Sequence, residues 1–343
     1  MPGPKLKVAI AGLGRMGARH AHHFYALTPR ADLVAASSPE PLELTWAEKN
    51  LEGVRTYLDY DEMLDRECAN GLQAVIIASA TAVHAEQAIK AIKRGLHVLC
   101  EKPLSTGVEK SQAVVDAYRD SLESFPSQKV ICGFSRRFDA SYRDAFEKMR
   151  SGMIGVPSVF RSQTCDKLDP SGFFVEYAQF SGGIFVDCSI HDIDLALWFF
   201  GEDSRVKSVS AVGITAVEPG LRKYNDRDNA LATEITGTKG KLAINTQPQT
   251  NLVNIYEPSG IRREIPPHYY GRFRDAFINE ANEFTACCLD DTPPPMKLEG
   301  AVNAVRIGCA LQEALITGKK IEFDEQGRRM NAGQEPGELR ARL

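Results

Sequence analysis

Three stretches of this chain combine residue types that could carry chemistry. The first is Cys100-Glu101-Lys102-Pro103, which closes the apolar run Leu96-His97-Val98-Leu99. A charged pair at the end of a buried strand is costly unless something there uses the charge. The proline that follows ends the strand, because it has no N–H to give and restricts its predecessor. Lys102 is therefore expected at a strand's C-terminal end, where open α/β sheets bind ligands. A lysine there can hydrogen-bond a substrate oxygen and respond to burial with a lowered pKa. The duller account is a lysine paired with Glu101 at a loop edge.

The second stretch runs from Gly182-Gly183 to Asp187-Cys188-Ser189-Ile190-His191-Asp192-Ile193-Asp194. A helix beginning near Asp187 puts Asp187 and His191 one turn apart on one face. A carboxylate beside an imidazole supports the protonated ring that a general base becomes on taking a hydroxyl proton. An N-cap aspartate and an ordinary helical histidine would share this spacing. Metal binding through His191, Asp192 and Asp194 is the weaker reading, since adjacent residues point to different faces.

The third stretch is Gly12-Leu13-Gly14-Arg15-Met16-Gly17, between the strand-like Lys7 to Ala11 and a helical run from Ala18 to Leu27. In that context G-x-G-x-x-G reads as a dinucleotide cradle. Its glycines allow a tight turn, a close pyrophosphate and close helix–strand packing, with the helix N-terminus facing the phosphates. The next strand, Asp32 to Ala36, lacks the acidic residue that commonly holds a ribose 2′-OH and ends instead in Ser37-Ser38-Pro39. Two hydroxyls, with Arg15 facing them, suit a 2′-phosphate, so NADP(H) is expected to serve at least as well as NAD(H). Glu40 and Glu43 lie close in sequence and could turn toward the ribose instead. The candidate cofactor contacts are the loop residues 12–17, Ser37, Ser38, Ser79, Thr81, His84, Glu101 and Lys102. His84 also reads simply as a helix-start residue.

These residues need a scaffold, and the first 135 residues supply an alternating pattern for one. Asp59 to Glu62 reads as a capping box, and Ala74 to Ala78 as a fully buried strand. Helical periodicity follows from Val83 to Arg94, then the Lys102 strand, a helix from Val108 to Tyr118, and the strand Lys129 to Cys132. Such repetition means a parallel, doubly wound sheet. His20, His22 and His23 have no acidic or cysteine partner at metal-ligand spacing and read as an exposed helix face. From about 136 the alternation stops. After a helix over 141–150, shorter polar strands near 158–164, 206–212, 230–236, 241–245 and 252–256 suggest a mostly antiparallel sheet with helices on one face. Late helices are expected over 273–289 and 299–317. Residues 1–135, 136–325 and a polar tail over 326–343 are the expected divisions.

Composition narrows the partners. The 343 residues are 43% hydrophobic and 25% charged with a net charge of −4, typical of a globular chain able to bury a core. No basic stripe suggests nucleic acid or an anionic membrane, and no apolar run is long enough to span a bilayer. Eight cysteines without C-x-x-C or zinc spacing read as small thiols in a reducing compartment. The opening Met1-Pro2-Gly3-Pro4-Lys5 has no signal-peptide apolar region. A cytoplasmic location is expected, with Ala341-Arg342-Leu343 as an alternative peroxisomal address.

Taken together, the glycine loop, Glu101-Lys102-Pro103, and Gly-Gly-x-x-x-Asp-x-x-x-His-Asp-x-Asp resemble the Gfo/Idh/MocA oxidoreductases over nearly the whole chain, to about residue 325. Phe134-Ser135-Arg136-Arg137-Phe138-Asp139 and the Asp187/His191 pair are most similar to its inositol 2-dehydrogenase branch. The resemblance implies a Rossmann domain followed by an α/β domain whose open sheet makes homodimers or homotetramers. It implies that Lys102 is catalytic, that the proline after it is often cis, that Asp187 and His191 complete the catalytic set, and that Arg136 contacts substrate. The implied reaction is NAD(P)-dependent oxidation of a secondary alcohol on a cyclic polyol or sugar. Alternatives are a sugar 1-dehydrogenase, a dihydrodiol or imine-type reductase, and, from another class, a non-catalytic Rossmann-fold regulator.

Overall fold

The computed structural model describes residues 3–164, 172–215, 220–221, 231–244, 253–258, 260–264 and 269–330. Six strands form one parallel sheet in the order β3-β2-β1-β4-β5-β6. They are β1 (Leu6–Ala11), β2 (Ala31–Ser37), β3 (Arg55–Tyr57), β4 (Ala74–Ile77), β5 (His97–Glu101) and β6 (Val130–Gly133). Between them run α1 (Gly17–His22), prolonged by a π-helical turn over His23–Leu27, then α2 (Pro41–Asn50), α3 (Tyr60–Ala69), α4 (Thr81–Lys93) and α5 (Val108–Ser121). The strand order reverses between β1 and β4, which opens a crevice at their C-terminal ends, the usual ligand position in such sheets. Sequence dictates the central strands. Ala74-Val75-Ile76-Ile77 is apolar at every position, so it fits only where helices cover both faces, and all four residues are fully buried. Asp59 caps α3 by accepting from the Glu62 N–H at 2.7 Å.

Helix α2 and strand β3 were not anticipated from the sequence. Proline at the first turn starts α2, and only one of its ten residues, Ala47, is buried, so its apolar periodicity is faint.

Beyond β6 a 3-10 turn (Ser135–Phe138) leads to α6 (Ala140–Arg150), β7 (Pro157–Thr164), the short helices α7 (Phe173–Tyr177) and α8 (Ile184–Asp187), and α9 (Ile190–Phe200). Strands β8 (Ser208–Val209), β9 (Leu231–Gly237), β10 (Lys241–Ile244), β11 (Asn254–Glu257) and β12 (Gly260–Arg263) follow, then α10 (Tyr269–Asp290), α11 (Leu298–Thr317) and β13 (Ile321–Glu322). Among the described residues the antiparallel pairings are small: a three-stranded sheet β10-β9-β7 and the two-stranded pairs β11-β12 and β13-β8. The strand expected over 206–212 shrinks to two residues, which pair with β13. Phe323 bridges to Arg329, whose guanidinium is paired with Glu313 of α11. Residues 331–343, including Ala341-Arg342-Leu343, lie outside the described residues. Among the described residues no helix is long and apolar enough to cross a membrane.

Helix α10 returns to cover the first sheet, with Phe284 edge-on to Phe24 and Phe277 edge-on to His20. It therefore buries His20 and His23, both 1% exposed, where an exposed face was expected. The same helix carries Glu280, fully buried and without a partner for either carboxylate oxygen among the described residues. Burial, reinforced by Glu101 and Glu283, holds its pKa well above the ordinary value. The unfolded chain ionises this group near pH 4.3, about the ordinary value for glutamate, whereas the folded chain resists. Folding therefore loses stability as pH rises above that point, by about 1.4 kcal/mol per pH unit until the folded pKa is reached. Glu280→Gln should raise the melting temperature at pH 8 and leave it nearly unchanged at pH 4. Equal shifts at both pH values would contradict this account.

Candidate active site

The glycine loop sits where β1 and β4 part. Gly12 has φ +87°, and a Cβ there would lie 2.5 Å from the Ser79 Cα. A Cβ on Gly17 would lie 2.0 Å from the Gly12 carbonyl oxygen, so the helix can approach the turn only with glycine at this position. Around Gly14 the nearest neighbour to such an atom is the Glu43 carboxylate at 3.4 Å. The loop thus has the tight turn, the open middle and the close helix contact that a dinucleotide pyrophosphate requires, and the residues fit that group.

The serines at the end of β2 behave differently from expectation. Ser37 and Ser38 are both buried. The Ser38 hydroxyl donates to Glu43 Oε2 at 2.5 Å, and the Leu13 N–H reaches the same oxygen at 3.3 Å. Ser38 is therefore an anchor for a carboxylate, which corrects its reading as a donor awaiting phosphate. Arg15 leans toward α10, its guanidinium 5.8 Å from the centre of the Tyr269 ring.

Lys102 follows β5, and its bond to Pro103 is cis. Glu101 anchors the position from beneath. One of its carboxylate oxygens meets His20 Nε2 at 2.7 Å, and the other accepts the Lys102 N–H at 3.1 Å. Burial works to raise the Glu101 pKa, but His20, Lys102 and His84 outweigh it and hold the carboxylate below its ordinary value. The His84 ring lies between the carbonyl oxygens of Pro103 at 2.9 Å and Ser79 at 3.0 Å. It braces the turn after Lys102 against the start of α4. Ser79 and Thr81 line the same rim, bonded to Gln87 at 2.6 Å and to the Tyr177 hydroxyl at 2.9 Å.

Across the crevice, the two glycines at 182 and 183, with φ +84° and +92°, turn the chain into α8. Asp187 ends α8 and His191 falls in the first turn of α9, so the single helix expected through both is broken at Cys188-Ser189. A continuous helix would tie the Asp187 carbonyl to the His191 N–H. With the break, Lys102 Nζ binds that carbonyl at 2.8 Å and the Asp187 carboxylate at 3.2 Å. Among the described residues no hydrogen bond joins Asp187 to His191, which corrects the expected aspartate–histidine pair. The His191 Nδ1 is buried without a partner there.

The electrostatics follow from this arrangement. Burial alone would lower the Lys102 pKa, but Asp187, Cys188, Glu101 and Tyr177 together hold it above its ordinary value, so the lowering expected from sequence does not occur. His191 moves the other way. Burial, then Arg136 and Lys102, push it well below 6.5, leaving a neutral imidazole beside a charged ammonium. Arg136 donates to Asp192 at 2.7 Å and to Thr164 at 2.9 Å, and Asp192 also accepts from Ser162. That network ties α9 to β7 and the turn after β6. It engages the Arg136 head with protein partners. Chemically, a proton donor and a proton acceptor face one crevice beside a dinucleotide cradle.

Sequence reasoning missed His20, Tyr177 and Asp192 as parts of this site, and left Glu43 as a bare alternative. Only Asp192 had a local signal, its place in His191-Asp192-Ile193-Asp194. Among the described residues no group of three or more His, Cys, Asp or Glu side chains could hold a metal ion.

The chain is similar to known proteins along most of its length. Residues 6–123 match a family model described as an oxidoreductase family with an NAD-binding Rossmann fold, and residues 142–234 match the GFO/IDH/MocA C-terminal domain. The chain is 30% identical to the scyllo-inositol 2-dehydrogenase (NAD(+)) of Bacillus subtilis, over 93% of this chain and 97% of that one. It is 26% identical to the myo-inositol 2-dehydrogenase of Thermotoga maritima, over 93% and 99%. A crystal structure of scyllo-inositol dehydrogenase from Lactobacillus casei with bound NAD(H) and scyllo-inositol superposes with a TM-score of 0.85 at 32% identity, covering 93% of this chain and 99% of that one.

Proposed function

The chain belongs to the Gfo/Idh/MocA oxidoreductase family, and we propose that it oxidises a secondary hydroxyl of an inositol or related cyclic polyol with NAD(H) as its cofactor. It is an enzyme, an NAD-dependent dehydrogenase acting on CH–OH groups. The observation that carries the reading is the charged Lys102, bound to both the carbonyl and carboxylate of Asp187, beside a neutral His191.

A dinucleotide held by its pyrophosphate at the glycine loop would supply a nicotinamide as the hydride acceptor. His191, kept neutral, takes the proton from the substrate oxygen as hydride leaves the carbon that bears it. Two of the three N–H groups of Lys102 go to Asp187, and the third donates to the substrate oxygen as negative charge grows on it. Asp187 fixes Lys102 and keeps it charged, and its carboxylate has room to accept from a neighbouring hydroxyl. Arg136 acts through Asp192, holding the start of α9 and lowering the His191 pKa. Glycine-loop residues 12–17 cradle the pyrophosphate, with Ser79 and Thr81 on the rim. Residues 1–135 serve the cofactor and 136–325 the substrate and a homodimeric or homotetrameric contact.

The case for NADP(H) rests on Ser37, Ser38 and Arg15. Glu43 weighs against it, and NAD(H) is the cofactor proposed. Absorbance of reduced nicotinamide, followed with scyllo-inositol, myo-inositol, aldoses and a dihydrodiol, tests the reading. The fastest turnover is expected with NAD+ and a cyclic polyol. Exclusive turnover of aldoses would move the protein to the sugar 1-dehydrogenases.

A further inference from the structure

We infer that Glu43, on α2, supplies the acidic group that β2 lacks, and that it selects NAD(H) over NADP(H). This rests on the cofactor reading above. Dinucleotide folds commonly hold the adenosine ribose with an acidic residue at the tip of the second strand. Here that tip is Ser37-Ser38, and neither side chain is acidic. The chain then turns through Pro39 and Glu40, and Pro41 begins α2. In the first turn of this helix, Glu43 folds back over the strand end.

Two hydrogen bonds hold its carboxylate there. Ser38 Oγ donates to Oε2 at 2.5 Å, and the Leu13 N–H reaches that oxygen at 3.3 Å. The other oxygen lies where it would be 3.4 Å from a Cβ on Gly14. Glu43 thus bridges the tip of β2 and the glycine loop, between the groups that face a ribose and those that face a pyrophosphate. Ser38 cannot turn away freely, because its oxygen also accepts the Glu40 N–H at 3.1 Å. Glu40 itself is exposed, at the start of the helix.

This placement has opposite consequences for the two cofactors. A ribose 2′-OH can donate to the free lone pairs of the carboxylate. A 2′-phosphate would bring close to two negative charges against it in a partly buried corner, with Ser38 already donating to the carboxylate. Arg15 does not offset this, since its guanidinium is directed to the Tyr269 ring. Ser38, read from sequence as part of a phosphate site, instead orients the group that repels phosphate.

Fluorescence titration of NADH and NADPH tests the assignment without any substrate. Wild type is expected to bind NADH at least about tenfold more tightly than NADPH. Glu43→Gln should narrow that ratio by about tenfold or more, chiefly by tightening NADPH. Glu43→Ala should narrow it too while weakening NADH, with both variants melting close to wild type. Wild type that binds NADH and oxidises polyols, with a ratio unmoved in both variants, overturns the Glu43 assignment alone. Wild type that prefers NADPH overturns the assignment and the cofactor reading, while leaving the polyol reading to its own assay. Wild type that binds neither overturns the assignment and the proposed function together.

Discussion

Lys102→Ala should lower kcat by about two to three orders of magnitude, a loss of about 3–4 kcal/mol of transition-state stabilisation. The reason is geometric. Lys102 Nζ is held by the Asp187 carbonyl and carboxylate, with side-chain exposures of 19% and 15% for the pair, so one N–H of a largely buried ammonium is left to meet a substrate oxygen. A donor fixed in advance stabilises a developing alkoxide at little reorganisation cost. NADH affinity should change by less than about threefold, because the lysine acts on the reacting oxygen rather than on the dinucleotide. Lys102→Arg should not rescue turnover. A planar fork cannot make both bonds to Asp187 and still present a donor along the third direction. Steady-state kinetics with a separate fluorescence titration of NADH divides these effects. A variant that loses cofactor binding while keeping kcat would show that Lys102 has been given the wrong role.

His191→Ala should cost about two to four orders of magnitude in kcat at neutral pH, the range of a lost general base. Its pH profile carries the sharper information. Burial, Arg136 and Lys102 hold the His191 pKa well below 6.5, so the ring remains an acceptor at pH values where an ordinary histidine is half protonated. The acidic limb of kcat/KM for alcohol oxidation should therefore fall below pH 6.5 in the wild type. In His191→Ala that limb should disappear, and residual activity should climb with pH as solvent hydroxide replaces the base. Lys102, held above its ordinary value, stays charged throughout and adds no limb of its own in the neutral range. An acidic limb at or above pH 6.5 would mean that the site does not keep this imidazole neutral.

What the sequence revealed follows how local each signal is. The glycine loop was legible because its glycines stand between a strand and a helix, and the turn geometry depends on nothing distant. Lys102 was legible for the same reason, as a charge between a buried strand and a proline. The partner of Lys102 was not. Asp187 lies 85 residues away in sequence, and its four-residue spacing to His191 looked helical until the break at Cys188-Ser189 freed it for the lysine. The buried pair of His20 and Glu101, 81 residues apart, was hidden in the same way, since it forms only when α1 and the end of β5 come together, with Phe277 of α10 edge-on to the His20 ring. Helix α2 left little trace because it buries a single residue, and with it the position of Glu43 was lost. The serine tip was read correctly as non-acidic, but a tertiary contact then reversed what it implied for the cofactor.

The most direct measurement of the central claim follows the hydride itself. Scyllo-inositol carrying deuterium on its ring carbons, incubated with NAD+ and the protein, should yield reduced nicotinamide with deuterium at C4, detected by proton NMR. The same mixture with Lys102→Ala should give only a trace in the same time. Reduced nicotinamide lacking deuterium, or none formed from any cyclic polyol or sugar offered, would contradict the account.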